Sequence, residues 1–347
     1  MTRPVTAFGP DFPFAYDDWL SHPAGLGRIP AERHGQEIAI IGAGAAGVIA
    51  GYELMRMGLR PILYESGKFG GRLRSETFEG TTDVIAELGG MRFPVSSRGF
   101  YHYVDLVGLE SRPFPNPLTE AAGSTVIDLE GETHFAREMD DLPRLYHEVA
   151  AAYRAALEEH ADFTALQAAV RARDVARIKQ IWNAIALKWD ERTFYDFVTS
   201  SRAFQSLGFR HREVFGQVGF GTGGWDSDFP NSMLEILRVN LLELDDHQRY
   251  IVGGVESLPQ RLWRQPAECA HWPGGTTLAG LNGGATLGRA ARIARNGAQG
   301  FTITDQWGVA RDYPAVLVTC QSHLLTTSVA VDEEIFDQKL WMALDRT

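Results

Sequence analysis

Apolar residues fall into short blocks whose spacing changes twice along the chain. Residues 37–65 carry the pattern of a βαβ unit. Ile38–Ile41 is an unbroken apolar, largely β-branched run, Ala45–Met57 repeats apolar residues at helical spacing, and Pro61–Glu65 is a second strand. Gly58 ends the helix, because glycine takes the left-handed conformation there without steric cost. From Asp140 to about Trp189 the period is helical: Leu142, Leu145 and Val149 share one face, and Ile178, Trp182, Ile185 and Trp189 another. These tryptophans read as contacts between helices. Strand-like runs resume at Tyr250–Gly254, Gly300–Thr304 and Ala315–Cys320. A helical insertion therefore interrupts an α/β domain that is completed later in the chain. Residues 1–35 form an aromatic arm rich in proline and glycine, without periodicity, and no internal repeat is visible.

Composition narrows the class. With 44% hydrophobic and 22% charged residues, 347 residues have room for two or three ordinary globular domains. A net charge of −11 without a Lys/Arg cluster excludes a nucleic-acid partner, since a polyanion would be repelled. Cys269 and Cys320 are too far apart for a metal spacing or a disulfide framework, which fits a reducing compartment. Acids and prolines interrupt MTRPVTAFGPDFPFAYDDWL where a signal peptide needs an apolar core, and the longest apolar run, Ile38–Tyr52, is too short and glycine-rich to span a bilayer. The expectation is a soluble cytoplasmic protein with no membrane partner and no metal.

The first candidate chemistry is IGAGAAG, in which Gly42, Gly44 and Gly47 make G-x-G-x-x-G between a strand and a helix. The first glycine permits the tight turn, the second lets backbone approach a pyrophosphate, and the third lets helix and strand pack closely. The helix N-terminus offers N–H groups and partial positive charge to phosphates. Glu65, eighteen residues after Gly47 at the end of the second strand, suits ribose hydroxyls and disfavours a 2′-phosphate. An AMP-containing dinucleotide follows; NAD and FAD stay open on this motif alone.

Two further glycine pairs favour FAD. Gly70-Gly71-Arg72 follows Glu65 closely, and E-L-G-G-M-R spans Glu87–Arg92. An NAD-linked dehydrogenase has no use for these, whereas extended FAD needs more backbone approach along the same face. IGAGAAG, YESGKFGGRLRS and AELGGMRFP together resemble the flavin amine oxidase family, and within it the bacterial L-amino acid oxidases and amino acid 2-monooxygenases. GTGGWDSDFPNSMLEILRVN and GGVESLPQRLW are similar to the lysine oxidase/monooxygenase branch, and the resemblance runs from about Phe8 to the last residue.

The resemblance implies an α/β fold, an FAD-binding Rossmann-like (two-dinucleotide-binding) domain interrupted by a substrate-binding α+β part and a helical insertion. Its expected boundaries are 1–35 for the arm, 36–80 and 246–335 for the two FAD-binding parts, 81–137 for the substrate-binding part, 138–245 for the insertion and 336–347 for the start of a further substrate-binding segment. It implies FAD contacts at Gly42, Ala43, Gly44, Gly47, Glu65, Gly71, Arg72, Gly90, Met91 and Arg92. It also makes Arg92 the clamp on a substrate α-carboxylate, for which a permanently charged, bidentate guanidinium is suited. The competing role for Arg92 is pairing with an acid such as Glu87. Asp226 and Asp228 sit in a Gly/Trp-rich loop; by position in the branch, Asp228 would meet the terminal ammonium of a lysine-like side chain. Capping the helical run at Met233–Leu242, alongside Asn231 and Ser232, is its alternative role.

The implied reaction is oxidation of the Cα-amine of an L-amino acid with O2 as oxidant, giving imino acid, ammonia and peroxide or, in a 2-monooxygenase, amide and CO2. The cofactor carries that chemistry, so no Ser/His/Asp triad is demanded and none is visible. The resemblance implies a dimeric homo-oligomer for the full-length form. The chain departs from the family pattern at Ala290, where a valine often rests on adenine, and it stops at LWMALDRT before the closing glycine-rich segment, so it reads as part of a longer or split enzyme. The rivals are an amine or polyamine oxidase of the same superfamily, an inactive FAD-binding module and, third, an NAD(P)-linked dehydrogenase.

Overall fold

Ile38–Ile41 becomes the middle of a parallel sheet because it brings no polar side chain that would be left without water. In the computed structural model, which describes residues 17–82, 84–95, 97–218, 233–241, 247–298, 300–335, 339, 340 and 342, strand β1 (Glu37–Ile41) pairs in parallel on both edges. On one side lies β2 (Arg60–Tyr64), with Ile40 opposite Leu63; on the other lies Val316–Val318, with Ala39 opposite Val316. Ala39 and Ile40 are fully buried, as expected where both faces of a parallel sheet are covered.

The two faces follow from strand alternation. Ile40 and Leu63 join Val48, Tyr52 and Met55 of helix α1 (Ala45–Arg56) in one core. Ala39, Ile41, Ile62 and Tyr64 form another with Ala290, Ile293, Ile303 and Tyr313 of a second sheet. That sheet runs in the order Ala310–Tyr313, Gly300–Asp305, Ala290–Asn296, Ala330–Val331, the first three antiparallel and the last parallel to its neighbour. The hydroxyls of Tyr64 and Tyr313 meet at 2.9 Å between the sheets, and burial pushes both phenol pKa values up. Strands β3 (Ser75–Thr77) and β4 (Ile85–Glu87) form a hairpin with Ser75 opposite Glu87. These elements belong to one compact unit, built from the described residues of 17–93, 97–112 and 250 onward.

The second unit comprises the described residues of 94–96 and 113–249. Its helices Arg144–Ala161, Phe163–Arg171 and Val175–Trp189 carry the periodic apolar residues, and Trp182 and Trp189 are each 1% exposed. Leu142 lies ahead of the first helix, because Pro143 disfavours helical geometry in the residue before it. Asp162, at φ +45° between the first two helices, makes the reversal that glycine would normally make. The Asp174 carboxylate accepts from Arg177 N at 3.0 Å and caps the third helix. A hairpin that the sequence pattern does not announce, Thr125–Leu129 with Glu132–Ala136, feeds Ile127, Leu129 and Ala136 into the same core. Among the described residues no helix is long and apolar enough to cross a membrane.

His160 closes the first helix with Nδ1 3.4 Å from Lys188 Nζ and Nε2 3.3 Å from Ser200 Oγ. Burial, then the Lys188 and Arg192 charges, lowers its pKa against the opposing pull of Glu159 and Asp196. A histidine depressed in the fold protonates more readily when unfolded, so its contribution is complete above the unfolded value of about 6.5 and is lost as pH falls from there through the folded value. Melting temperatures measured between about pH 8 and about pH 5 are expected to fall in the native sequence and to fall less in His160→Gln.

Candidate functional site

Three backbone segments converge at the end of β1. Gly42, at φ +106°, donates its N–H to Tyr64 O at 2.8 Å, which pins the turn to the end of β2. Gly44 precedes α1 as its N-cap, with no side-chain cap, so the first N–H groups of the helix are left for a ligand. A Cβ at Gly47 would run into the carbonyl oxygen of Gly42 and come within 2.8 Å of Thr319 Oγ1. The second glycine pair abuts the first: Gly70 N donates to Ala43 O at 3.0 Å, and a Cβ at Gly71 would lie 3.1 Å from Gly44 Cα. The third pair is held against the same loop, since Leu88 N and Gly90 N donate to Arg74 O and Arg72 O, and a Cβ at Gly89 would strike the Arg72 carbonyl.

Glu65 is engaged on both oxygens. Oε2 accepts from Ala43 N at 2.7 Å, and Oε1 from Ser66 N and Gly67 N at 2.8 and 2.9 Å. The acid therefore ties the glycine turn to the end of β2. Glu87 likewise accepts from Ser75 Oγ of β3 at 2.5 Å and from Val255 N at 2.8 Å, the latter joining β4 to a residue far along the chain.

A cavity of about 580 Å³ opens over these segments, within the range of cofactor sites. Of the residues expected at the cofactor, Gly42, Gly44, Glu65, Gly71, Arg72 and Gly90 line it. Ala43 is fully buried and contributes through its N–H to Glu65; Gly47 lies inside α1 beneath the turn. Met91, 40% exposed, and Arg92, also exposed, follow Gly90 outside the cavity wall. Asp226 and Asp228 lie outside the described residues. Besides neighbours of these residues, the wall includes Arg289, Thr319, Gln321, Leu324, Ser328 and Val329, to which sequence reasoning assigned no cofactor role, together with Cys320 and Ala290. Burial pushes the Cys320 thiol pKa up, so it is a neutral wall group. The one available signal was that AVLVTC ends a strand, but which strand it joins is invisible in sequence.

This donor set fits a dinucleotide with a flavin-length body. The α1 N-terminus and Arg72 suit a pyrophosphate, the abutting glycine loops let it touch backbone, and Ile41, Tyr64, Ala290 and Val329 offer apolar surface beside Glu65 for an adenosine. Replacing Glu65 by Ala would strip three N–H groups of their acceptor, at a cost of about 2 kcal/mol. Glu65→Ala is expected to melt several degrees earlier without cofactor and to bind FAD at least about tenfold more weakly, read by thermal denaturation and flavin-fluorescence titration.

The family model for flavin containing amine oxidoreductase matches residues 45–341, well over half of the chain. Tryptophan 2-monooxygenase of Pantoea agglomerans pv. gypsophilae is 31% identical over 263 residues, covering 69% of this chain and 46% of that protein. The same-named protein of Pseudomonas savastanoi is 29% identical over 335 residues, 88% of this chain and 57% of the other, and that of Agrobacterium vitis is 28% identical over 266 residues, 72% and 35%. The chain thus spans between 35% and 57% of the length of these relatives. Among solved structures, a variant of putrescine oxidase superposes with a TM-score of 0.63 at 17% identity, covering 90% of this chain and 63% of that one. Cyclohexylamine oxidase from Brevibacterium oxydans IH-35A superposes at 0.58 and 17% identity, covering 89% and 63%. At that identity the likeness carries the fold alone. Sequence match, fold and cavity agree: the chain belongs to the flavin-containing amine oxidoreductase family, and its cofactor is FAD.

Proposed function

We propose that this chain carries the FAD-binding part of an enzyme that oxidises the Cα-amine of an L-amino acid, with O2 as the final oxidant. The observation that carries this reading is Arg92, exposed two residues beyond Gly90 of the cavity wall. Its guanidinium is charged at any working pH and matches a carboxylate with two parallel hydrogen bonds. An amino acid brings the carboxylate that such a guanidinium recognises, and a simple amine does not. The similarity to tryptophan 2-monooxygenases supports an amino-acid substrate, and with it the amide-forming outcome over release of imino acid and peroxide.

When bound, flavin supplies the two-electron acceptor for the Cα–H and its return to the oxidised state with O2. The chain's own part is positional. The glycine loops and Arg72 would hold the cofactor against backbone, and Arg92 would fix the α-carboxylate so that the Cα–H is presented in one orientation. A preference for a basic side chain rests on Asp228 alone.

The test is a paired substrate panel: L-tryptophan and L-lysine against tryptamine and cadaverine, with O2 uptake, amide, peroxide and ammonia measured. Amino acids turning over and amines not, with amide as product, is the expected result. Equal rates on the decarboxylated amines would overturn the amino-acid reading, and loss of the lysine rate alone in Asp228→Asn would support the basic-side-chain preference. Arg92→Met is expected to lower kcat/KM for amino acids about 100-fold while leaving amines unaffected, the loss of a charge-assisted bidentate pair. Where turnover is slow, the shift of the flavin absorption band on adding substrate without oxygen reports the same binding difference.

A further inference from the structure

The third segment at the glycine turn does more than complete the wall. Strand Val316–Val318 ends at Thr319, whose N–H donates to Ile41 O at 2.9 Å as the last rung of the parallel pairing. The side chain continues from there. Thr319 Oγ1 lies 3.0 Å from Ile41 O and 3.1 Å from Gly42 O, and so shares its one O–H proton between two carbonyls at the turn. The same oxygen stands 3.0 Å from where a Cβ of Gly42 would lie and 2.8 Å from that of Gly47. One hydroxyl thus stands close to two glycines of the motif, and it reaches Gly42 from 277 positions away in sequence.

We propose that Thr319 is a positioning residue of the FAD site: its hydroxyl holds the Ile41 and Gly42 carbonyls so that the turn keeps its internal hydrogen bonds and presents the start of α1 to the cofactor. The physical need is clear. Glycine, here at φ +106°, loses more conformational freedom on folding than any other residue, and it stands where the phosphate-facing backbone must be fixed. A β-branched side chain has few rotamers, so Thr319 delivers its O–H from one direction with little entropy to lose. Because Cys320 and Gln321 continue into the cavity wall, the same contact registers that wall against the turn. Glycine at position 42 is required by its φ of +106° and at position 47 by the Gly42 carbonyl, and Thr319 adds a second close neighbour at both.

Thr319→Val keeps the shape and deletes the O–H; Thr319→Ser keeps the O–H. Two measurements decide. In the cofactor-free chain, the amides of Gly42 and Ala43, which donate to Tyr64 O and Glu65, are expected to exchange with solvent about fivefold faster in Thr319→Val and at the native rate in Thr319→Ser. Amides of α1 beyond its first turn and of the helix Val175–Trp189 are expected to keep their native rates. The FAD dissociation constant, from quenching of flavin fluorescence, is expected to rise about fivefold in Thr319→Val and to stay within about twofold in Thr319→Ser. Unchanged exchange and affinity in Thr319→Val would overturn the proposal. So would uniformly faster exchange throughout the unit, or a serine variant as impaired as the valine one, since either makes Thr319 a filler of space. Should Thr319→Val fail to fold, the difference between Thr319→Ser and Thr319→Ala isolates the same hydroxyl. Neither readout involves an amine substrate, so the result stands apart from the amino-acid reading.

Discussion

Close approach of backbone to backbone is the constraint on which this site depends. At Gly44 against Gly71, Gly42 and Gly47 against Thr319, and Gly89 against Arg72, atoms of separate segments lie where a Cβ would intrude. A cofactor pyrophosphate must touch main-chain N–H groups directly, and a side chain at any of these points would hold the loops apart. The parallel strands beneath supply the rigidity. β1 and its two neighbours end at nearly the same level, so the loops leaving them are delivered together.

Electrostatics then assigns the parts of the cavity. The chain is acidic overall, yet among the described wall residues Glu65 is the one acid, set against Arg72 and Arg289. The helix N-terminus adds positive potential on the phosphate side. Glu65 is met by three backbone N–H groups, which fix its direction and leave remaining acceptor capacity for hydroxyls. Elsewhere in the same unit buried carboxylates are also shared out: Glu53 accepts from Arg56 at 2.8 Å and from Tyr103 at 3.1 Å, and Glu256 from Ser75 N and Lys68. These acids serve as internal ties, since a buried carboxylate without donors would not stay charged.

The helical unit follows simpler rules. Its core is apolar and aromatic, with Trp182, Trp189, Phe197 and Phe204 almost wholly buried. Periodicity in the sequence was enough to anticipate it, because helix packing depends on which face is apolar and little else. The hairpin at Thr125–Ala136 escaped notice because Val126 and Phe135 stand on its outer face, at 56% and 73% exposed, and blur the alternation that marks a strand.

By itself the sequence determined the βαβ unit, the glycine turn with its acid at Glu65, and the cofactor class, because each is a local pattern over a few tens of residues. Gly70, Gly71 and Gly90 were legible as requirements for close approach by a cofactor, without any hint that other backbone segments approach them too. Only tertiary structure decided the partners. It brought Thr319 and Cys320 to the turn and Val329 to the cavity wall, buried Ala43, left Met91 and Arg92 exposed outside that wall, and bound Glu87 to Val255. The physical reason is that strand order in a parallel sheet is set by which apolar faces can be buried together, a property of the whole fold. The pairing of Val316–Val318 with β1 follows from it, and no local run of residues records it.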